Sequence, residues 1–306
     1  MEWLLEKNQP AVRHKTLIEL CDLPAGDEQV RIAGRNIARK GWVADILRKQ
    51  RNDGTWIEGE QGLYYPKYIA TNWMMLILTD LGLTPECRGV KLGCDLFFSN
   101  WLKPDHNESK YEVCVVGNLA RMLIKCGYSE DMRVRRLVDW LLETQKEDGG
   151  WNCFPSGRGT LDCWEALSAF ASIPRRKWNG RLKRSVERGA EFYLERKLFN
   201  EGRKYAPWFR FHYPVHYYYD VLVGLDTLTS LGYSDDRRLR PALELLLDRK
   251  MSDGRWALDV VHPDLGYGAK YGLKAEPTPF ALEETGKPSK WITLTAMSVL
   301  KRVEEA

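Results

Sequence analysis

Two carboxylic acids, a thiol and an indole occupy four consecutive positions of the chain: Asp162, Cys163, Trp164 and Glu165. Protonating an alkene or an epoxide requires an acid held in a dry pocket, where aromatic ring faces stabilise the cation that forms. A carboxyl group beside Trp164 meets part of this requirement, so Asp162 and Glu165 are candidate proton donors. The alternative is ordinary helix capping, with Asp162 as the cap and Glu165 at the third position of the helix.

A second candidate site lies in an aromatic segment that ends at Asp220. Its imidazole and phenol side chains are His212, His216, Tyr217, Tyr218 and Tyr219. The segment around Tyr68 runs parallel to it in sequence and has Asn72 in the place of Asp220. Rings at this density suit a cavity wall around a carbocation or a hydrophobic chain, which makes Asp220 a further candidate acid. Tyrosine and tryptophan also pack well between helices without any such role.

A repeat of helix pairs is expected to position these residues. Three segments align without gaps and end in Asp-Gly-x-Trp, at Trp56, Trp151 and Trp256. Six residues before its tryptophan, the first segment has Gln50 and the second segment has Gln145, whereas the third segment has a lysine. Between these segments, glycine stops followed by acidic helix starts mark further turns. A fixed period of this length is typical of repeat architectures.

The apolar periodicity between the turns predicts two sets of helices. The charged, amphipathic set is expected to lie outside, at 29–50, 88–103, 131–146, 182–198 and 236–250. The apolar, aromatic set is expected to lie inside, at 10–22, 65–82, 110–126, 160–173, 213–231 and 288–303. About six pairs predict one all-α domain over residues 1–306, an (α/α)6 toroid with a central cavity. An open solenoid can be built from the same units.

The three Asp-Gly-x-Trp segments resemble the QW repeats of squalene and oxidosqualene cyclases, which protein prenyltransferase beta subunits share more loosely. The resemblance implies an α/α toroid in which each glutamine ties an outer helix to the start of the next inner helix. It covers nearly the whole chain, but only half of a triterpene cyclase, which has two such barrels. It also implies an isoprenoid substrate in an aromatic cavity.

The resemblance bears on the candidate acids as well. Oxidosqualene cyclases carry an Asp-Cys-Thr-Ala-Glu box whose aspartate protonates the substrate, and the segment from Asp162 to Glu165 resembles it with one residue fewer. The Asp-x-Asp-Asp acid motif of other class II cyclases is absent. Prenyltransferase beta subunits bind zinc through Asp-x-Cys and a later histidine. Here Asp162-Cys163 lacks the intervening residue, while His212, His216 and Cys153 are further candidate ligands.

Composition narrows the binding partners and the cellular compartment that can be expected. The net charge of +4 gives no reason to expect nucleic-acid binding, and seven cysteines without a CxxC pair indicate reduced core thiols in a cytoplasmic protein. Twelve lysines and arginines against four glutamates make residues 175–210 strongly basic. This segment is either a solvated outer helix or a contact with an anionic membrane surface or a diphosphate-bearing ligand.

Three functions follow as hypotheses. The first is a terpenoid cyclase-like enzyme with no cofactor, in which Asp162, Asp220 or Glu165 is the acid. Its cavity wall then consists of Cys163, Trp164, His212, His216, Tyr217, Tyr218, Tyr219, Tyr68, Asn72 and Trp291. The second is a non-catalytic toroid that binds a lipid or a partner protein. The third is a zinc-dependent, prenyltransferase-like subunit.

Overall fold

The protein is all-helical throughout the part of the chain that its structure, a computed structural model, describes. These residues are 1–58, 63–103, 111–202, 205–261 and 282–306. They contain α-helices, short 3-10 helices and three isolated β-bridges. The all-α class predicted from the sequence is confirmed.

The helices alternate between two layers. The inner helices are α1 (Pro10–Glu19), α4 (Thr71–Asp80), α6 (Val113–Lys125), α8 (Glu165–Ala171), α10 (Val221–Ser230) and α12 (Lys290–Glu304). The outer helices are α2 (Glu28–Asn36), α3 (Gly41–Arg48), α5 (Arg88–Asn100), α7 (Met132–Glu143), α9 (Gly180–Glu195) and α11 (Arg240–Asp248). Nine of the ten residues of α4 are buried, whereas α7 buries only Val134, Leu137 and Leu141. The inner layer is therefore enclosed, and the outer layer has one wet face.

Contacts between the first and last inner helices close the ring. Helix α6 packs on α4 and α8, α10 packs on α8 and α12, and α12 packs on α1. The Lys290 ammonium binds the Glu6 carboxylate at 2.9 Å, and the Ser298 hydroxyl donates to Glu19 at 2.8 Å. Helix α3 contacts both α1 and α4. The chain is thus a closed toroid, and the open solenoid is excluded.

The repeated tryptophans make one contact three times. The indole N–H of Trp56 donates to the carbonyl of Ile46, ten residues earlier, at 2.9 Å. Trp151 and Trp256 repeat this bond to the residues ten positions before them, at 2.8 and 2.7 Å. Each bond supplies an additional donor to a carbonyl in the last turns of an outer helix, where the regular intrahelical donors run out. The sequence repeat is therefore a structural repeat.

The glutamines tie outer helices to each other. The side-chain amide of Gln50 donates to Gly89 in α5 at 2.9 Å, and that of Gln145 donates to Ser185 in α9 at 2.9 Å. The resemblance predicted a tie to the next inner helix, and that prediction is wrong. Lys250 instead places its ammonium 5.5 Å from the ring centre of Trp256.

Three inner helices begin later than the sequence predicted, at Thr71, Glu165 and Val221. Tyr68 and His216 have positive φ angles of 71° and 48°, which a right-handed helix does not accept. Backbone pairing of residue 160 with 151 delays α8 in a similar way. The predicted outer helix 29–50 is likewise divided into α2 and α3 by Gly41, with φ of +66°. The aromatic segments therefore precede the inner helices.

Candidate functional site

Two cavities lie among the inner helices and the segments that precede them. The central cavity has a volume of about 300 Å³ and takes residues from all six inner helices. The mouth pocket, of about 590 Å³, lies beside the segments that precede α6, α8 and α10. The central cavity is lined by charged residues that the sequence analysis did not single out, namely Lys15, Glu19, Asp80, Arg121, Lys125, Asp226 and Arg302. We call these seven residues the charged belt.

The charged belt is internally paired. Asp80 lies 2.7 Å from Lys125 and 3.6 Å from Arg121, and Arg302 lies 2.8 Å from Asp226. Burial raises the pKa of Asp80, but the charges of Arg121 and Lys125 outweigh burial and lower it overall. This end of the cavity is polar rather than aromatic, contrary to the sequence prediction. In the sequence, the signal for this charged lining was the presence of single charged residues within otherwise apolar inner helices.

Asp220 and His212 form a buried pair at the opposite end of the central cavity. The Asp220 carboxylate accepts from the Val223 amide at 2.8 Å and thereby caps α10. Helix capping is a structural role, and it differs from the role of proton donor that the sequence suggested. The His212 ring faces this carboxylate through Nδ1 at 2.6 Å and the Val215 carbonyl through Nε2 at 3.2 Å. Both carboxyl oxygens of Asp220 are therefore engaged, one with the Val223 amide and the other with the His212 ring.

Trp164 and Trp291 are the aromatic rings that line the central cavity. Trp291 stacks on Tyr213 with ring centroids 4.8 Å apart, and the Arg121 guanidinium lies 5.1 Å from the Trp164 ring centre. Among the described residues, the Trp164 indole N–H and Arg121 Nε have no hydrogen-bond partner although both are buried. A polar ligand group or a water molecule in the cavity would satisfy them.

Glu165 is the most deeply buried acid in this region. It is the first residue of α8, it is completely inaccessible, and neither carboxyl oxygen accepts a hydrogen bond from another described residue. Burial raises the pKa of Glu165 well above its ordinary value. Its neighbours in the chain, Cys163 and Trp164, line the mouth pocket and the central cavity respectively. Glu165 therefore lies next to residues that line the two cavities but lines neither cavity itself, and its Cβ packs closely against Gly117 of α6.

The capping alternative for this segment is wrong. The residue that caps α8 is Trp164, and no side chain bonds the first turn there. Asp162 instead accepts the indole N–H of Trp208 at 2.7 Å and lies near the Thr160 hydroxyl at 3.4 Å. Such donors favour the charged form of a carboxyl group. Asp162 is a positioned carboxylate on the wall of the mouth pocket.

The three predicted tyrosines line the mouth pocket together. The hydroxyl of Tyr68 lies 3.1 Å from that of Tyr217 and 3.0 Å from that of Tyr218, so the two aromatic segments meet there. Tyr219 also lines this pocket, and its hydroxyl donates to the Leu198 carbonyl at 2.8 Å. The His216 ring stacks on Tyr68 at 5.3 Å. Parallel segments in the sequence are thus in contact in the fold.

Asn72 does not match Asp220 in position. Asn72 is the second residue of α4 and is buried, whereas Asp220 is the cap that precedes α10. The two segments correspond as far as Tyr68 and His216, which share a positive φ. After these residues, α10 begins two residues later in its segment than α4 does. The sequence prediction for Asn72 is therefore wrong in register, because the two inner helices begin at different points after the shared turn.

The predicted zinc ligands do not come together. His212 faces Asp220 and His216 faces Tyr68, so neither approaches Cys163 as a ligand. The thiol of Cys163 instead donates to Cys153 at 3.5 Å, and the backbone N–H of Cys114 also donates to that sulfur, at 3.4 Å. Hydrogen bonds from the Cys114 and Cys163 thiols lower the pKa of Cys153 to about 3. These donors favour the thiolate form of Cys153.

None of the helices within the described residues has the length and apolar character needed to cross a bilayer. The basic segment contains α9, and cations on either side of this helix pair with acids of the same chain. Lys177 lies 2.7 Å from Glu130, and Arg196 lies 3.5 Å from Asp148. These pairs are typical of a solvated outer helix.

Comparison with known proteins finds no matching family model and no matching curated protein. Solved structures do show similarity. A protein from Actinoplanes is 15% identical, over 96% of this chain and 90% of that chain, with a TM-score of 0.45. The type II terpene cyclase MstE from Scytonema, in its apo form, is 16% identical over 97% and 87% of the two chains, with a TM-score of 0.47.

A variant of the same Scytonema cyclase in complex with its substrate, geranylgeranyl dihydroxybenzoate, gives a TM-score of 0.46 at 15% identity, again over 97% and 87% of the chains. Similarity at this level does not extend to the chemistry of the site, since one fold supports many functions. The function has to be argued from the residues themselves.

Proposed function

We propose that this protein is a terpenoid cyclase-like enzyme that protonates an isoprenoid or similar hydrophobic substrate and that Glu165 is the proton donor. The observation that carries the proposal is the complete burial of the Glu165 carboxyl group, next to residues that line the two cavities and without a hydrogen bond from another described residue. An acid kept protonated by an apolar environment is suited to general acid chemistry at neutral pH. The QW-like repeat supports the isoprenoid class.

The other candidate acids fit this role less well. Both carboxyl oxygens of Asp220 are already engaged, by the His212 ring and by the amide of Val223. Asp162 accepts the Trp208 N–H, which also favours its charged form. Both are structural or positioning residues in this proposal. Glu165 alone among the three has no donor from another described residue that would stabilise its carboxylate.

The mouth pocket would hold the apolar chain. Its wall contains Tyr217 and Tyr218, whose ring faces can stabilise a passing carbocation. Glu165 would transfer its proton to one carbon of a double bond, which leaves a cation on the other carbon. A second double bond then attacks this cation to close a ring. Loss of a proton from the final cation yields a neutral product and restores the proton balance.

The experiment is incubation of the purified protein with polyprenyl alcohols and diphosphates in D₂O, followed by mass analysis. Acid initiation places one deuterium from the solvent in each product molecule. Glu165→Gln should lower turnover by about 10² to 10⁴, the usual contribution of a general acid, with little change in substrate affinity. Asp162→Asn is the matched control in the same segment and should keep measurable turnover.

Two results would contradict the proposal. Wild-type turnover in Glu165→Gln would remove Glu165 from the chemistry, and a product without solvent deuterium would remove acid initiation. Tight binding of a polyprenyl chain with no product would instead identify a non-catalytic lipid-binding toroid.

A further inference from the structure

Three residues from two distant segments meet at the edge of the mouth pocket. The carboxylate of Glu112 and the sulfurs of Cys114 and Cys153 all lie within 4.8 Å of one another. Glu112 and Cys114 flank the start of α6, and Cys153 follows the repeat tryptophan of the second segment. All three residues line the mouth pocket, so a solute in that pocket can reach them.

We infer that Glu112, Cys114 and Cys153 form a binding site for a thiophilic divalent cation of the zinc type, with one coordination position open to the mouth pocket. Zinc binds cysteine sulfur at about 2.3 Å and carboxylate oxygen at about 2.0–2.2 Å, so neighbouring ligands of a tetrahedral site lie about 3.5–3.8 Å apart. The Cys114 sulfur lies 3.5 Å from the Glu112 carboxylate oxygen. A cation requires only small side-chain adjustments here.

The surroundings of Cys153 also suit a metal-bound thiolate. Its sulfur accepts hydrogen bonds from the Cys114 backbone N–H and from the thiol of Cys163. Donors of this kind stabilise negative charge on sulfur and orient a ligand for the metal. Cys163 does not belong to the group of mutually close ligand atoms, which makes it a positioning residue.

Glu112 is not engaged in helix capping. It precedes α6 as the cap residue, yet its side chain makes no capping bond to that helix. The carboxylate is exposed to solvent, so it can accept a cation without losing a backbone partner. Three protein ligands with a fourth position for water or substrate is the arrangement of catalytic rather than structural zinc sites.

This set differs from the one that the sequence resemblance implied. Asp162 is bound to the Trp208 indole and the two histidines face other partners, so none of them completes the site. The inference is independent of the proposed proton transfer, because it concerns binding of a cation and needs no substrate.

The test is titration of the reduced, metal-free protein with Co²⁺, which reports thiolate ligands through sulfur-to-metal charge-transfer absorption. The wild type should show this absorption at one equivalent, and Zn²⁺ should displace it. Cys153→Ser and Cys114→Ser should lose it. Cys163→Ser should retain it with affinity about 10- to 100-fold weaker, as expected for removal of a residue that orients a ligand.

Cys87→Ser is the matched control, since Cys87 is a half-buried thiol at the start of α5, outside the cluster. It should titrate like the wild type, and circular dichroism should show that every variant keeps its helices. The inference is overturned if the wild type binds no Co²⁺ under reducing conditions. It is equally overturned if the charge-transfer band survives in Cys153→Ser.

Discussion

At the scale of single residues, the buried acid Glu165 makes the stability of the protein depend on pH. Its pKa in the folded state is raised well above the ordinary 4.5. Above pH 4.5 the unfolded chain loses this proton while the folded chain keeps it, so the contribution of Glu165 to stability decreases as the pH rises towards its folded pKa. Neutral pH is therefore the unfavourable side for this residue.

Glu165→Gln should remove this dependence. The free energy of unfolding of the variant, relative to the wild type, should increase with pH by up to about 1.4 kcal/mol per unit. Urea denaturation from about pH 5 to about pH 7 measures it. The neighbouring Asp162→Asn should show no such increase with pH, because its carboxyl group is bound by donors. If the difference in the free energy of unfolding between Glu165→Gln and the wild type stays constant over this pH range, Glu165 ionises in the folded state.

At the scale of elements, the contact of α6 with α8 fixes the position of Glu165. A Cβ atom on Gly117 would lie 2.7 Å from the Cβ and the carbonyl carbon of Glu165, closer than packed atoms accept. Gly117→Ala should therefore separate the two helices and cost roughly 1–3 kcal/mol of stability. It should also lower any turnover that depends on Glu165.

Chemical denaturation and the product assay measure both effects of Gly117→Ala. Gly26→Ala is the control, since nothing lies within 4 Å of the added carbon there. Equal stability of the two variants would mean that α6 and α8 do not need this close approach.

The glutamine ties between outer helices make a second prediction at this scale. Gln145 donates to Gly149 and Ser185 and accepts from the Ser185 hydroxyl at 2.9 Å. Gln145→Ala should cost about 1–3 kcal/mol, because two carbonyls lose a donor. Lys250→Ala, at the corresponding place in the third segment, should change the free energy of unfolding by less than about 1 kcal/mol. Thermal unfolding of both variants compares them, and a larger loss in Lys250→Ala would contradict the assigned role.

The sequence predicted the helical layers and the ring well, because helix periodicity and glycine turns are local signals. It did not predict where three inner helices begin, since Tyr68 and His216 adopt left-handed backbone that tertiary packing stabilises. It missed the pairing within the charged belt and the approach of Glu112 and Cys114 to Cys153 for a related reason. Long-range packing brings these residues together, and nothing in their spacing records it.

At the scale of the whole molecule, the basic segment 175–210 raises the question of membrane contact. Lys177 and Arg196 pair with acids of the same chain, which lowers the charge free to meet a surface. We therefore expect the protein to bind anionic vesicles weakly and to leave them as salt approaches physiological strength. Sedimentation with anionic and neutral vesicles measures this. Binding that persists in salt would indicate a dedicated membrane surface.

Arg302 contributes to closure of the ring, because it joins the last inner helix to two others. Its guanidinium binds Asp226 at 2.8 Å and the Thr229 hydroxyl at 3.0 Å in α10, and lies 3.8 Å from Glu19 in α1. Arg302→Ala removes the cation that joins Asp226 and Glu19 and leaves Glu19 paired with Lys15 alone among the described residues, so it should cost about 1–3 kcal/mol. Because α1 and α12 close the ring, their amide hydrogens should exchange faster while those of α5 and α7 stay protected.

Hydrogen exchange of Arg302→Ala beside Arg240→Ala makes the comparison direct. Arg240 pairs with Glu244 on the exposed face of α11, where such a pair contributes little. Faster exchange confined to α1, α10 and α12 is the expected pattern, since these are the helices that Arg302 connects. Uniform acceleration around the ring would instead mean that the toroid opens as one cooperative unit. In that case no single contact could be assigned to its closure.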